Sequence, residues 1–226
     1  MDVLKAARDP VAFIRANTAV EAPRLVPEIE LHLASEITPI WEATEASLEQ
    51  AGLPPPYWAF AWAGGQALAR YILDNPETVR GRVVLDFGAG SGLVAIAAAK
   101  AGAARVIAAD IDDFAAAAIR LNAAHNNVVV ERVTDDVIGR VEGFDAVLVG
   151  DMCYERPLAD RVEAWLRELA ARGTAVLIGD PGRTYFPKAG VERIARYSVH
   201  TTREIEDTDL RLTGVWRIAP AVTAGR

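Results

Sequence analysis

The chain has 226 residues, enough for one well-buried α/β domain with an appendage and too few for two ordinary domains and a linker. Apolar residues make up 51% and charged residues 24%, which excludes extended disorder. A formal charge of −7 argues against nucleic acid as the main partner, because neutralising phosphates needs a net basic face. Cys153 is the sole cysteine, so no intramolecular disulfide can form. No window offers a charge-free apolar stretch long enough to cross a bilayer, and the first residues lack the apolar run of a secretory leader. These features lead to the expectation of a cytoplasmic protein that neither spans nor binds a membrane.

In chain order, Asp9 and Pro10 have the pattern of an N-cap and first helical residue, predicting a helix to about Thr18. Glu28 to Ala34 alternates, with Ile29, Leu31 and Leu33 on one side, as a half-buried strand does. Thr38 to Gln50 is a weaker helix pattern, broken by Pro39. The prolines of Gly52 to Pro56 then mark a boundary, giving an N-terminal extension of residues 1–53 packed on a core of residues 54–226. The extension either selects substrate or covers a sheet edge. Beyond the prolines, Tyr57, Trp58, Phe60 and Trp62 precede Gly64 and Gly65 and a helix from about Gln66 to Leu73. The aromatics form either a wall for a flat ligand or a core corner, with Trp62, nearest the glycines that let backbone approach a ligand, as the candidate for the wall.

Val83 to Asp110 organises the rest. An apolar run to Leu85 passes through Asp86 into a loop with Gly88, Gly90 and Gly92, and an Ala-rich helix ends at Gly102. Arg105 to Ala109 is a second apolar run closed by Asp110. This is a βαβ unit with a nucleotide-type ligand at the first strand's carboxyl end. The ligand's charge separates the candidates. A dinucleotide would set its pyrophosphate on the helix N-terminus, where Asp86 opposes it, whereas the ammonium and sulfonium of S-adenosylmethionine suit an acidic, glycine-lined turn. Asp110 is left to accept hydrogen bonds from a ribose diol.

A helix over Asp112 to Asn122 and a strand over Val128 to Val133 follow, with Asp135 and Asp136 at the strand's end. Phe144 to Gly150 is the next strand and runs directly into Asp151-Met152-Cys153-Tyr154. A helix from Arg161 to Ala171 and a strand from Thr174 to Ile178 lead to Asp180-Pro181-Gly182-Arg183. Tyr197 to Ile205 and Leu210 to Ile218, around a turn at Asp207 to Asp209, read as an antiparallel hairpin completing the sheet. Ligands of open α/β sheets bind outside the strands' carboxyl ends, so Asp86, Asp110, Asp135 and Asp151 should converge on one crevice. A carboxylate at Asp151 matches an ammonium better than a neutral amide, which favours a lysine as acceptor. Cys153 has no nearby histidine and is not expected to act as a nucleophile.

The pattern of Asp86, three glycines and Asp110 resembles the class I S-adenosylmethionine-dependent methyltransferases. The Asp151 to Tyr154 motif, PYWAFAW, DFGAGSGLVAIAA and GDPGRTYFP together resemble the seven-β-strand protein lysine methyltransferases, and most of all those acting on the electron transfer flavoprotein β subunit. The likeness runs from about Pro54 to Pro187. The ribosomal protein L11 methyltransferases are similar too, but carry an Asn-type motif after the fourth strand. The resemblance implies a Rossmann-like doubly wound sheet, mostly parallel with a C-terminal antiparallel hairpin and an N-terminal helical and strand extension. It implies S-adenosylmethionine as cofactor, held by Trp62, Asp86, Gly88, Gly90, Gly92, Asp110, Ile111 and Asp135 or Asp136, the last two being alternatives to plain loop acids in water. It also implies Asp151 and Tyr154 as the catalytic pair, and the flavoprotein β subunit, not a nucleic acid, as the partner. Methylation of a ribosomal protein or small amine, and a non-catalytic binding module, are the other readings.

Overall fold

The structure is a computed structural model, and it describes residues 9–34, 55–201 and 210–219. The expected helix over Thr38 to Gln50 and the turn at Asp207 to Asp209 lie outside the described residues. Helix α1 (Pro10–Asn17) is capped by Asp9, whose side chain accepts from the Ala12 N–H. Strands β1 (Ala19–Glu21) and β2 (Leu31–Leu33) pair antiparallel as a small separate sheet. The alternating stretch from Glu28 therefore supplies three strand residues, and Ile29 is buried before pairing begins.

A 3₁₀ turn over Tyr57–Ala59 leads into α2 (Ala63–Asp74), which starts three positions before the expected Gln66 and takes both glycines into its first turn. The elements that follow are β3 (Val83–Phe87), α3 (Leu93–Lys100), β4 (Arg105–Ala109), α4 (Asp113–His125), β5 (Glu131–Val133), β6 (Ala146–Gly150), α5 (Arg156–Ala171), β7 (Ala175–Asp180), β8 (Val191–His200) and β9 (Leu210–Ile218). Two bounds move for visible reasons. Helix α5 begins at Arg156 because Pro157 is preorganised for a helix's first turn, so the helix starts well before the apolar stripe. Strand β5 shortens to three residues because Val128 to Val130, though β-branched, leave the sheet; Val129 is 88% exposed and unpaired in the ladder.

The seven-stranded sheet runs β5-β4-β3-β6-β7-β9-β8, with β3 parallel to both β4 and β6 and β9 antiparallel to both its neighbours. This is the doubly wound α/β fold expected, and the order reverses between β3 and β6, where a ligand crevice opens. Central strands are apolar on both faces because both are covered. Val84, Val106, Leu148 and Leu177 face α2 and α3, while Leu85, Phe87, Val147 and Ile178 face Val162, Trp165, Leu166 and Leu169 of α5. A third cluster joins α1 to α4: Ile14 packs with Trp58, Phe60, Phe114 and Ala118, and Trp58 stacks on Phe114 with ring centroids 6.0 Å apart. Asn122 ties the small sheet to the glycine loop, accepting from the His32 N–H and donating to the Ser91 carbonyl, both at 2.8 Å. Among the described residues, no helix is long and apolar enough to cross a membrane.

Candidate active site

Helix α3 begins after Gly92, which sits in the left-handed region and has no side chain to cap the helix. Asp86 supplies the cap from the end of β3: its Oδ2 accepts from the Ala95 N–H in the helix's first turn at 2.8 Å. The carboxyl is buried, and burial, then the nearby Asp110 charge, push it up to about 7 despite the opposing hydrogen bond. An acid thus occupies the helix terminus that a pyrophosphate would need. Gly88 and Gly90 also have positive φ, 66° and 50°, so the turn runs through a conformation that side chains resist.

Asp110, at the end of β4, accepts from the Gly90 N–H at 2.8 Å and from the Asp112 N–H at 3.1 Å, and burial raises its pKa. Asp112 caps α4 through the Phe114 N–H, and burial moves it up to about 6. Ile111 between them is 77% exposed, an apolar face standing beside an acceptor carboxylate. The glycine turn, Asp86, Asp110 and Ile111 together fit a ligand with positive charge, a diol and a flat apolar base. Asp135 and Asp136 lie at the rim. Asp135 is exposed and 3.4 Å from Arg140, while Asp136 pairs with Arg161 at 2.7 Å and accepts from the Ile138 N–H, so that the arginine holds its carboxyl below the usual range.

The opposite wall is made by the ends of β6 and β7. Asp151 adopts φ 57°, an uncommon conformation that Asp tolerates better than most residues. Its Oδ2 accepts from the Gly65 N–H at 2.9 Å, capping α2 just as Asp86 caps α3. Its Oδ1 accepts from Arg183 Nε at 3.2 Å and Nη2 at 2.8 Å. The side chains of Arg183 and Asp151 are only 19% and 9% exposed. Arg183 is set by the turn before it, in which Asp180 Oδ1 accepts from the Gly182 and Arg183 N–H groups, both at 2.7 Å. Its guanidinium lies 5.7 Å from the Trp62 ring centre.

Two expectations are corrected here. Gly64 serves close packing of helix on strand instead of ligand approach, because a Cβ there would collide with the Gly179 carbonyl and with Asp151 Oδ2; Gly65, where a Cβ would meet only Val94 at 4.0 Å, gives its N–H to Asp151. Asp151 is also no uncompensated carboxylate awaiting an ammonium, since Arg183 already neutralises it. Sequence reasoning singled out the Asp180 to Arg183 segment without giving Arg183 a role. The signal available was an Asp two and three residues before two donors it can cap, followed by a cation.

The four aromatics divide. Trp58 and Phe60 are core, whereas Tyr57 is 40% exposed and Trp62, expected against the cofactor, is half-buried beside Arg183 on the Asp151 side. Tyr57 lies 5.8 Å from Trp62 and 5.6 Å from Tyr154, centre to centre, and Trp62 Nε1 donates to the Tyr57 carbonyl. Tyr154 is 43% exposed, and its phenol is raised by partial burial and then by Tyr57, Glu155 and Asp110. Met152 covers Gly88. Cys153 is buried and pushed up to about 12, the protonation state of an inert thiol.

The family model described as ribosomal protein L11 methyltransferase (PrmA) matches residues 66–178, which end before Asp180. The electron transfer flavoprotein beta subunit lysine methyltransferase of Danio rerio is 43% identical over 213 residues, covering 91% of this chain and 81% of that protein. The Homo sapiens protein of the same name is 40% identical over 220 residues, covering 92% and 82%. Among solved structures, magnesium protoporphyrin IX methyltransferase from Synechocystis with bound S-adenosylhomocysteine superposes with a TM-score of 0.51 at 16% identity, over 69% of this chain and 81% of that one. At that identity the likeness is one of fold.

Proposed function

The chain belongs to the electron transfer flavoprotein β-subunit lysine methyltransferase family, and from that premise we propose that it transfers a methyl group from S-adenosylmethionine to lysine on the β subunit of an electron transfer flavoprotein. The observation that carries the reading is the two-walled crevice: acids held by backbone N–H groups on one side, an Asp–Arg pair among aromatics on the other.

Asp86 supplies negative charge for the cofactor's cationic end, Asp110 accepts from its ribose hydroxyls, and Ile111 gives its base an apolar face. Of the turn's glycines, Gly90 leaves the backbone open to it, whereas Gly88 lies under Met152 and Gly92 packs against Ile119. S-adenosylmethionine contributes a methyl group on a sulfonium, a carbon already activated toward an amine lone pair, so the chain's task is alignment and a neutral amine. Asp151 and Tyr154 face the acceptor, with Tyr57 and Trp62 as apolar walls for the lysine's methylene stem. A desolvated lysine beside positive charge loses its proton readily to water, so Asp151 is not required as the base. Asp135 and Asp136 stand at the open edge as alternative contacts to the base of the cofactor. The negative overall charge and the absence of a membrane-crossing helix among the described residues favour a protein substrate met in aqueous solution, as in cytoplasm.

Purified enzyme with methyl-labelled S-adenosylmethionine, electron transfer flavoprotein and, in a parallel arm, ribosomal protein L11 tests this reading. Label on lysine of the flavoprotein β subunit, located by mass spectrometry, is the expected result. Label on L11 alone would transfer the chain to the other reading, and label on neither would remove the substrate assignment.

A further inference from the structure

Arg183 is paired with the acid that the proposed function assigns to the acceptor, and its fixing is more elaborate than a surface ion pair. Both its Nε and Nη2 reach the same Asp151 oxygen, its ring-facing side lies against Trp62, and its backbone N–H is bound by the buried Asp180 carboxylate. Asp151 is held from the other side by the Gly65 N–H, so its carboxylate plane is set between a helix terminus and a guanidinium. Glycines at 64, 150 and 179 bring these backbones close enough for that arrangement.

We propose that Arg183 is a positioning residue that cancels the charge of Asp151, so that the acceptor pocket receives the target lysine as an uncharged amine and rejects its ammonium form. The inference rests on the lysine methyltransferase reading and assigns a new role within that site. A lone carboxylate at this place would hold an ammonium, whose nitrogen has no lone pair to attack with; lysine in water at neutral pH is almost wholly in that form. With Arg183 paired to it, Asp151 keeps its hydrogen-bonding oxygens but offers no net charge, and the sulfonium of the bound cofactor then tips the amine toward losing its proton. Tyr57, Trp62 and Tyr154 complete the pocket wall, and the neighbouring acid Asp180 is engaged by the Gly182 and Arg183 N–H groups of its own turn. In the transfer the nitrogen lone pair forms the N–C bond, the C–S electrons return to sulfur, and the amine's proton has already left to water.

The test compares wild type, Arg183→Gln and Arg183→Lys in methyl transfer to the flavoprotein β subunit from about pH 6.5 to about pH 10, with cofactor affinity measured alongside. Arg183→Gln is expected to shift the rising limb of kcat upward by about one pH unit, its deficit being large at neutral pH and shrinking at alkaline pH. Arg183→Lys keeps the positive charge and should keep the limb's position at a reduced rate, and cofactor affinity should stay within about twofold in both. The same fractional loss at every pH in Arg183→Gln, or no loss, would overturn the proposal while leaving the lysine reading intact. A second measurement uses the wild-type enzyme and so survives misfolding of the variants. The β subunit with its target lysine changed to methionine should compete better than one with that lysine changed to arginine; tighter binding of the permanently charged arginine form would overturn the proposal. No transfer to any protein lysine by the wild type would remove the reading and this inference together.

Discussion

Asp86 and Asp110 take their hydrogen bonds from N–H groups nine and 20 residues away within one βαβ unit, whereas Asp151 takes its own from Gly65, 86 residues before it, and Arg183, 32 residues after it. The cofactor wall is therefore assembled by local chain geometry, and the acceptor wall by tertiary packing. The charges differ in the same way. Asp86 and Asp110 have no ion pair among the described residues and are raised by burial, which makes them responsive to pH and to a cationic ligand. Asp151 carries its counter-ion permanently. A wall that waits for a cation suits a cofactor that brings one, and a wall already neutral suits an amine that must arrive without charge.

The largest effect on stability should come from the same kind of substitution made in the two walls. In Gly64→Ala the added methyl meets the Gly179 carbonyl and the Asp151 carboxylate, both backed by packed strands. The expected loss is about 3 kcal/mol, a fall in melting temperature of roughly 10 °C, with methyl transfer abolished. In Gly90→Val the Cβ lies 3.7 Å from Trp58 Cα, so the strain is mainly that of the positive φ. That variant should stay folded and lose cofactor binding. Equal destabilisation in calorimetric melts of the two would erase the distinction between a tertiary wall and a local one.

How much of this was legible follows the same division. The glycine turn, Asp86 and Asp110 could be read because strand, turn, helix and strand are consecutive and each residue's task is set by its neighbours. The aromatics could not be sorted: Tyr57, Trp58, Phe60 and Trp62 are alike in composition, and only the 3₁₀ turn and the start of α2 decide that Trp58 and Phe60 turn inward. Gly64 reads in sequence as room for a ligand because the partner that demands it, Gly179, is distant along the chain. Arg183 was invisible as a charge partner for the same reason. Val128 to Val130 misled because β-propensity measures fit to a pleated surface, and no neighbouring strand reaches them.

A smaller effect, specific to the cofactor wall, follows from the raised acid at Asp86. Its folded value of about 7 lies above the ordinary carboxylate value of 3.8, so between these pH values the native protein binds a proton that the unfolded chain has released. The stability from that proton is fully present below about pH 4 and is lost as pH rises through about 7. Asp86→Asn cannot ionise and its amide oxygen can still accept from Ala95. Without cofactor, the variant should gain on wild type as pH rises, reaching on the order of 1 to 3 kcal/mol above about pH 7, while binding S-adenosylmethionine more weakly. A stability difference independent of pH in parallel melts would show that Asp86 is not the uncompensated acid described.

The division of labour between the walls is tested most directly by titrating S-adenosylmethionine in methyl-transfer assays of Asp110→Ala and Asp151→Ala. Asp110→Ala should weaken cofactor binding by about 1 to 3 kcal/mol and recover part of its activity at high cofactor concentration. Asp151→Ala should bind the cofactor nearly as wild type does and lose about a hundredfold or more in protein methylation at every cofactor concentration. Loss of cofactor binding in Asp151→Ala, with turnover restored at saturation, would put that carboxylate on the cofactor's side and contradict the account.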